Sequence, residues 1–540
     1  MKKYMLLALL CAGLSVQAQE GNQAPPKNWF NLDPVNDQVN GVSTEKAYKE
    51  LLVGKQSKKV LVAVIDSGID VLHEDLKDVV WVNTDEIPGN GIDDDNNGYI
   101  DDIHGWNFIG GKNGENVDKD TYEVTREYKR LRPKYEGKTA DDFKRKERDE
   151  FEYWLEVKEA YEADANEAVG QSQLLRNIDM QLTRYKKLFE AYLFTDELTY
   201  EDVKSVSSTD QVILMGQNIL TQLYMMTDTT IHLDTLSMYL QQDLEHYAAG
   251  ADYSYNLDYN AREIVGDNPD QLDEKGYGNN DVIGKGTDNF HGTHVAGIIA
   301  AKRDNGLGID GVANNVEIMA IRAVPDGDER DKDVANAIRY AVDNGAQVVN
   351  MSFGKAFSPN TEYVYEAIQY AHEKGVILVH AAGNSAADND EVPNFPNDYF
   401  GRKGNWSHWI EVGASSWGGE GNYVGNFSNY GKDNVDVFAP GVAIYSTAPG
   451  NEYKNAQGTS MASPVTAGVA ALLLSYYPDL NPEQVKDILI KSSRSLNNLE
   501  VSQPGTGEMV KFSDLSVSGG IVNAYEALKM AESMSLKGKK

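Results

Sequence analysis

The chain has 540 residues, of which 41% are hydrophobic and 25% charged, a balance that excludes wholesale disorder and leaves room for two or three domains of about 100–200 residues. Its 83 acidic residues outweigh 50 basic ones, for a formal charge of −33. That argues against a nucleic-acid binder, which needs a basic surface for phosphates, and suits a protein that attracts cations.

The chain opens on Lys2 and Lys3, an apolar run from Met5 to Leu14, and the small-x-small triplet Val16-Gln17-Ala18. Residues 1–18 therefore read as a bacterial signal peptide, and the protein is expected to be exported, to the periplasm or beyond. Cys11, the only cysteine, falls inside this segment and follows Leu10, where a lipid-anchoring signal wants a small residue. The mature chain then has no thiol, so no disulfide and no cysteine nucleophile or ligand. A structural calcium ion is the expected substitute staple. No later stretch reads as a membrane span, so no span is expected after signal removal.

Residues 19–57 read as a polar N-terminal arm with Pro25-Pro26 and a short helix from Thr44 to Leu52. Lys59–Asp66 is a continuous apolar run, the pattern of a parallel strand buried on both faces. Similar runs recur at Glu317–Ala323, Ala346–Ser352, Gly375–Ala382 and Trp409–Ala414, with helical patterns at His291–Lys302, Lys332–Asn344 and Thr361–Lys374. This alternation predicts an α/β fold around a parallel central sheet, carried by residues 58–110 and 285–530 and followed by a polar tail, 531–540. Residues 111–284 break the rhythm. From 111 to 280 there are 35 acids and 20 bases, and no proline occurs between 134 and 268. Ile178, Leu182, Tyr185 and Phe189 recur at helical spacing. The segment is read as an all-helical insertion with helices over about 138–169, 171–193, 208–226 and 231–248. Because its ends lead to Asp66 and His291, it is expected at the rim of the crevice, where it filters substrates.

Four residues stand where chemistry gathers. Asp66 ends a buried strand, and functional groups in open α/β sheets collect beyond such ends. His291 opens the helix HGTHVAGIIAA, while His294, three residues on, is expected to pack inward; the zincin spacing is absent. Ser460 lies at a helix N-terminus among small residues (Gly458, Ala462, Ser463), which keeps its hydroxyl accessible and free N–H groups nearby. Asn384 follows an apolar strand and can offer its amide to the same crevice. Together these have the chemistry of a serine nucleophile, an imidazole base, a carboxylate that orients it, and an oxyanion donor.

Residues 89–107, GNGIDDDNNGYIDDIHGWN, carry a second signal. Asp93, Asp95 and Asn97 alternate, Gly98 follows, and Asp101 and Asp102 come next. Oxygen ligands at every second position with glycine at the turn resemble the first half of an EF-hand loop, although His104 stands where its closing glutamate would be. These five residues are the expected calcium ligands.

The segments VAVIDSGID (62–70), HGTHVAG (291–297), VVNMSFG (348–354), HAAGNS (380–385) and GTSMASPVTAG (458–468) resemble the subtilisin-like serine peptidases, or subtilases, in the family's Asp–His–Ser order. The resemblance covers about 59–110 and 285–530 and implies a three-layer subtilisin-like fold and a secreted serine endopeptidase. It makes Asp66, His291 and Ser460 the triad and Asn384 an oxyanion donor. It also lays Ser352, Phe353 and Gly354 along the substrate, with Gly383 beside the specificity pocket, for which no acidic residue is clearly placed. A weaker calcium loop, 304–309 with Asp75, resembles one of the family. The arm 19–57 is much shorter than the family's usual inhibitory propeptide. Expected partners are peptides or proteins as substrates, with no nucleic acid, and the expected state is a monomer. The competing reading is a non-enzymatic binding protein that uses the helical insertion on a peptidase scaffold. It is disfavoured because all four site residues are present.

Overall fold

The computed structural model describes residues 25–538 apart from 228, 285–288, 399–405 and 419–422. The signal-like segment 1–18 lies outside the described residues. Contacts divide the chain into a larger unit, Pro25–Glu123 with Asn260–Lys540, and a smaller one, Val124–Tyr259.

The larger unit is built on β1 (Val60–Asp66), β2 (Gly105–Asn107), β3 (Val316–Arg322), β4 (Val348–Met351), β5 (Ile377–Ala381), β6 (Trp409–Ser415) and β7 (Val437–Pro440). Two hairpins, β8 (Ile444–Ala448) with β9 (Glu452–Ala456) and β11 (Glu500–Ser502) with β12 (Met509–Lys511), stand apart. With β10 (Arg494–Ser495) and β13 (Gly520–Ile521) the main sheet has nine strands in the order β10-β13-β7-β6-β5-β4-β1-β3-β2. Every pairing in it is parallel except β10 with β13. The strands and helices read from the sequence in this unit recur within two residues at each end.

Strand periodicity sets the layers. Val60, Val62 and Val64 join the helices Phe290–Ala300 and Thr459–Tyr476 in one apolar cluster. Ala63 and Ile65 face the other way, where helices Asp331–Asp343 and Thr361–Glu373 pack. Helix Thr459–Tyr476 corrects one reading: it is long and apolar enough to cross a membrane, alone in this among the described residues. Nearly all of it is buried as the central core helix of this unit. The segment after Pro25 belongs to the same core, through Trp29, Phe30, Val42, Ala47 and Leu52. It is joined to the far end of the chain: the Ala524 amide donates to the Val42 carbonyl at 2.8 Å, and Lys55 pairs with Glu532 at 2.7 Å.

The smaller unit is helical and shorter than the 111–284 segment marked in the sequence. The flanks of that segment pack in the larger unit, where Arg262 pairs with Asp333 at 2.6 Å and Tyr277 donates to Asp333 at 2.8 Å. The helices expected over 138–169 and 171–193 are one continuous helix, Arg145–Leu193. Gly170 does not break it, since an exposed glycine costs a helix only about 1 kcal/mol relative to alanine. Leu182, Tyr185 and Phe189 on this helix pack on Ile213, Leu220 and Tyr224 of Gln211–Met226 and on Leu233, Leu236 and Leu240 of Leu233–Ala249. Close packing requires glycine at 216, where a Cβ would come within 2.5 Å of the Tyr185 ring.

Candidate active site

The carboxyl ends of β1, β4 and β5 form one crevice. Asp66 is the last residue of β1 and is buried. His291 is the second residue of helix Phe290–Ala300, which begins against the β1 end. Glycine at 292 makes that approach possible, because a Cβ there would lie 2.2 Å from the Gly68 carbonyl and 3.1 Å from Asp66 Cβ. His291 Nδ1 donates to Asp66 Oδ1 at 2.7 Å, and the Ser67 amide donates to the same oxygen at 2.7 Å. Asp66 Oδ2 is buried without a hydrogen-bond partner among the described residues. Burial alone would depress the His291 pKa, but the charge of Asp66 and its hydrogen bond outweigh it and hold the imidazole above the ordinary histidine value. The aspartate thus fixes the ring so that Nδ1 carries the proton and Nε2 is the free base.

Ser460 follows Gly458 at the start of helix Thr459–Tyr476. Its hydroxyl donates to the Ser352 carbonyl at 3.0 Å, while the Ser352 hydroxyl donates to the Ser460 carbonyl at 2.9 Å. Ile65 of β1 is in register with Met351 of β4, so Ser352 stands beside Asp66. This reciprocal pair brings the serine to the strand end that holds the aspartate. Asn384 comes three residues after β5. Its Oδ1 accepts from the Thr459 amide at 2.9 Å and the Thr459 hydroxyl at 3.0 Å. That leaves the Nδ2 hydrogens as its donors at the cavity it lines. His294 is buried, and its Nε2 donates to the carbonyls of Ile444 at 3.1 Å and Lys454 at 3.0 Å; burial pushes its pKa down to about 4.

Beside Ser460 and Asn384 opens a cavity of about 420 Å³ lined by Phe353, Gly354 and Gly383. Ser352 serves instead as the hydrogen-bonding partner of Ser460. Two charged residues that sequence reasoning passed over, Glu329 and Lys355, also line the cavity. Glu329 lies in the charged run DGDERDKD, outside the motifs that the sequence analysis singles out.

The loop 83–102 gathers a second polar cluster. Carboxylate oxygens of Glu86, Asp95 and Asp102 lie within 4.8 Å of one another. Asn83 Nδ2 donates to Asp95 at 3.1 Å and Asp102 at 2.9 Å, and Asn97 Nδ2 donates to both at 3.1 Å. Burial pushes Asp102 up to about 6. Asp93 and Asp101 do different work: Asp93 accepts from the amides of Asn97 and Gly98, and Asp101 from those of Gly89, Asn90 and Gly91. Glu86 escaped sequence reasoning because it precedes the alternating run by seven residues. A buried carboxylate raised by desolvation, facing two more, fits a hard divalent cation with oxygen ligands. In the weaker loop, Asn305 Nδ2 donates to Asp75 Oδ1 at 2.6 Å, and burial raises the Asp75 pKa.

Comparison with known proteins finds similar sequences. The chain is 38% identical over 250 residues to the thermophilic serine proteinase of Bacillus sp. (strain AK1), covering 44% of this chain and 52% of that protein. It is 36% identical over 242 residues to thermitase of Thermoactinomyces vulgaris, covering 45% of this chain and 75% of that one. A solved protease structure from Pseudoalteromonas arctica is 30% identical, with a TM-score of 0.36, and covers 45% of this chain and 70% of that one. The subtilase family profile matches residues 57–507. The chain belongs to the subtilase family of serine-type endopeptidases.

Proposed function

We propose that this protein is an exported serine endopeptidase in which Asp66, His291 and Ser460 form the triad and Asn384 completes the oxyanion site. The observation that carries the reading is the 2.7 Å bond from His291 to Asp66 at the strand end to which Ser352 tethers Ser460. Ser460 Oγ attacks the scissile carbonyl carbon while His291 Nε2 takes its proton. The Asn384 amide and the Ser460 N–H receive the developing oxyanion. Collapse breaks the C–N bond, His291 returns the proton to the leaving amine, and an acyl-enzyme remains on Ser460. Water, deprotonated by the same histidine, hydrolyses the ester.

A calcium ion held by Glu86, Asp95 and Asp102 would supply the cross-link that a chain with a single cysteine cannot make by disulfide. Export is supported by the signal-like residues 1–18, and the substrates are peptides or proteins acted on by a monomer. The test is labelling of the purified protein by a fluorophosphonate, with hydrolysis of peptide anilides measured in parallel. Both are expected in the wild type and neither in a folded Ser460→Ala variant; peptide hydrolysis retained by that variant would overturn the mechanism.

A further inference from the structure

The helical unit carries an apolar groove that its own core does not fill. Leu174, Ile178 and Leu182 of helix Arg145–Leu193, Leu236 and Leu240 of helix Leu233–Ala249, and Met226 at the end of helix Gln211–Met226 all line it. Leu182, Leu236 and Leu240 are buried, whereas Leu174 and Met226 stand 38% and 39% exposed. The open space is about 50 Å³. That is the room of a few waters or one apolar side chain, well below the roughly 300 Å³ at which small-molecule pockets begin. The two shorter helices also carry Met215, Met225 and Met238, each more than half exposed. Unbranched methionine adapts to apolar partners of different shape, a common property of surfaces that take varied peptides.

One end of the groove is acidic. On helix Leu233–Ala249 the lining stripe passes from Leu236 and Leu240 to Asp243 and Tyr247. Asp243 makes no hydrogen bond or ion pair among the described residues, and its charge is opposed only by His246 on the next turn. Glu167 and Asp243 both bear on the Tyr247 hydroxyl, and with burial they raise its pKa. Cations are scarce here. No lysine or arginine occurs between Lys204 and Arg262, a stretch with seven acids that contains both shorter helices. Arg176, next to Leu175 on the long helix, is paired with Asp252 at 2.7 Å. Over Val124–Tyr259 the balance is 26 acids to 16 bases. A second copy of this unit or an anionic lipid surface is therefore repelled, and a cationic segment attracted.

We propose that this groove docks a basic amphipathic segment of a protein substrate, with one apolar side chain seated among Leu174, Met226 and Leu240 and an adjacent lysine or arginine at Asp243 and Glu167. Naming the guest a substrate rests on the peptidase reading above; the docking itself does not.

Docking is measured without catalysis, by fluorescence anisotropy in the Ser460→Ala protein. The probe is a labelled amphipathic helix of leucine and lysine, about 18 residues or 27 Å long, beside versions with lysine replaced by glutamate or leucine by serine. The first is expected to bind, and the other two to bind about tenfold more weakly or worse. Adding Leu174→Ser and Met226→Ser together is expected to weaken binding by about tenfold, the worth of one buried apolar side chain. Asp243→Asn should weaken it by about two- to fivefold, as for a solvent-accessible ion pair; it removes no packing, so it decides the matter even where the serine pair impairs folding. Val53→Ser, at an exposed apolar residue of the larger unit, should change nothing.

In the second arm, initial rates of otherwise wild-type enzyme are measured on a peptide anilide alone and on one joined to the leucine–lysine helix by a Gly/Ser linker of about 40 residues, with a reach of about 35 Å. The joined substrate is expected to show a KM lower by about tenfold with kcat unchanged, an advantage lost in the serine pair. Equal binding of the lysine and glutamate helices, or binding unchanged in the groove variants, would overturn the proposal. So would a concentration-dependent dimer, seen by sedimentation, that the serine pair abolishes. A joined substrate with no gain in KM would overturn the identification of the guest as substrate. Groove-dependent docking with no hydrolysis of either anilide would overturn the peptidase reading and leave the docking site standing.

Discussion

The crevice at Asp66 and the loop at 83–102 are both built from buried carboxylates in the larger unit, and they use them in opposite ways. In the loop, hydrogen-bonding capacity is turned inward. Glu86 accepts from the amides of Asp94, Asp95 and Asp101, Asp101 accepts from three more, and two asparagine amides tie Asp95 to Asp102. In the crevice, capacity is held open. Asp66 engages one oxygen and leaves the other without a partner among the described residues. Asn384 is anchored through its oxygen, leaving its donors for another molecule. A polar cluster that serves a transient guest is recognisable by what it leaves unmade, and one that serves the fold by how fully it is satisfied.

This contrast predicts that crevice variants lose turnover and keep stability, whereas loop variants do the reverse. The largest effect is expected from Ser460→Ala or His291→Ala, with a loss of about 10⁶ in kcat, a magnitude taken from subtilisin itself. The melting temperature should stay within a few degrees of wild type. Asn384→Ala should cost about 10²–10³ in kcat, again the value for the corresponding subtilisin donor, with KM little changed. Steady-state kinetics beside thermal melts would measure both, and a collapse of the fold in either variant would break the contrast.

On the other side, Asp95→Ala or chelation should lower the melting temperature while leaving kcat/KM of the surviving folded enzyme intact. A cation at 100 times its dissociation constant would contribute about 2.7 kcal/mol. The pH dependence has a definite sign. Because the Asp102 pKa is raised to about 6, the metal-free fold loses stability as pH rises from the unfolded carboxyl value through 6. A cation that binds the ionised form opposes that loss. The melting difference between calcium-loaded and chelated protein should therefore widen as pH climbs through about 6; a difference independent of pH would remove Asp102 from the site. The smallest effect concerns His291. It must be neutral to act as a base, and Asp66 raises its pKa. The acid limb of the kcat/KM profile should therefore lie above 6.5, the unperturbed value.

What can be read from the sequence follows from how local each signal is. The strand β1 is legible because VLVAVID is apolar on both faces, and Asp66, His291, Asn384 and Ser460 because each sits in a short motif at an element boundary. Glu86 and Glu329 are not legible. Their placement depends on loops folding back, Glu86 onto amides eight to fifteen residues further on and Glu329 against a lysine 26 residues away. No periodicity encodes such closures. The helix Arg145–Leu193 reads as two segments that part at Gly170, although tertiary packing along the rest of the helix overrides one weak propensity.

The clasp between the two ends of the larger unit sets the order in which the molecule can be completed. Asn523 reaches Ser43 across 480 positions, and Lys55 reaches Glu532 across 477. During synthesis from the N-terminus, Trp29, Phe30 and Val42 emerge long before their partners exist, and Ser460 emerges only after most of the sheet. Pairings of such long range also make refolding slow, since loop closure is paid in full before the contacts form. The ribosome thus releases Ser460 after the strands that position it, and its supporting core is sealed later still.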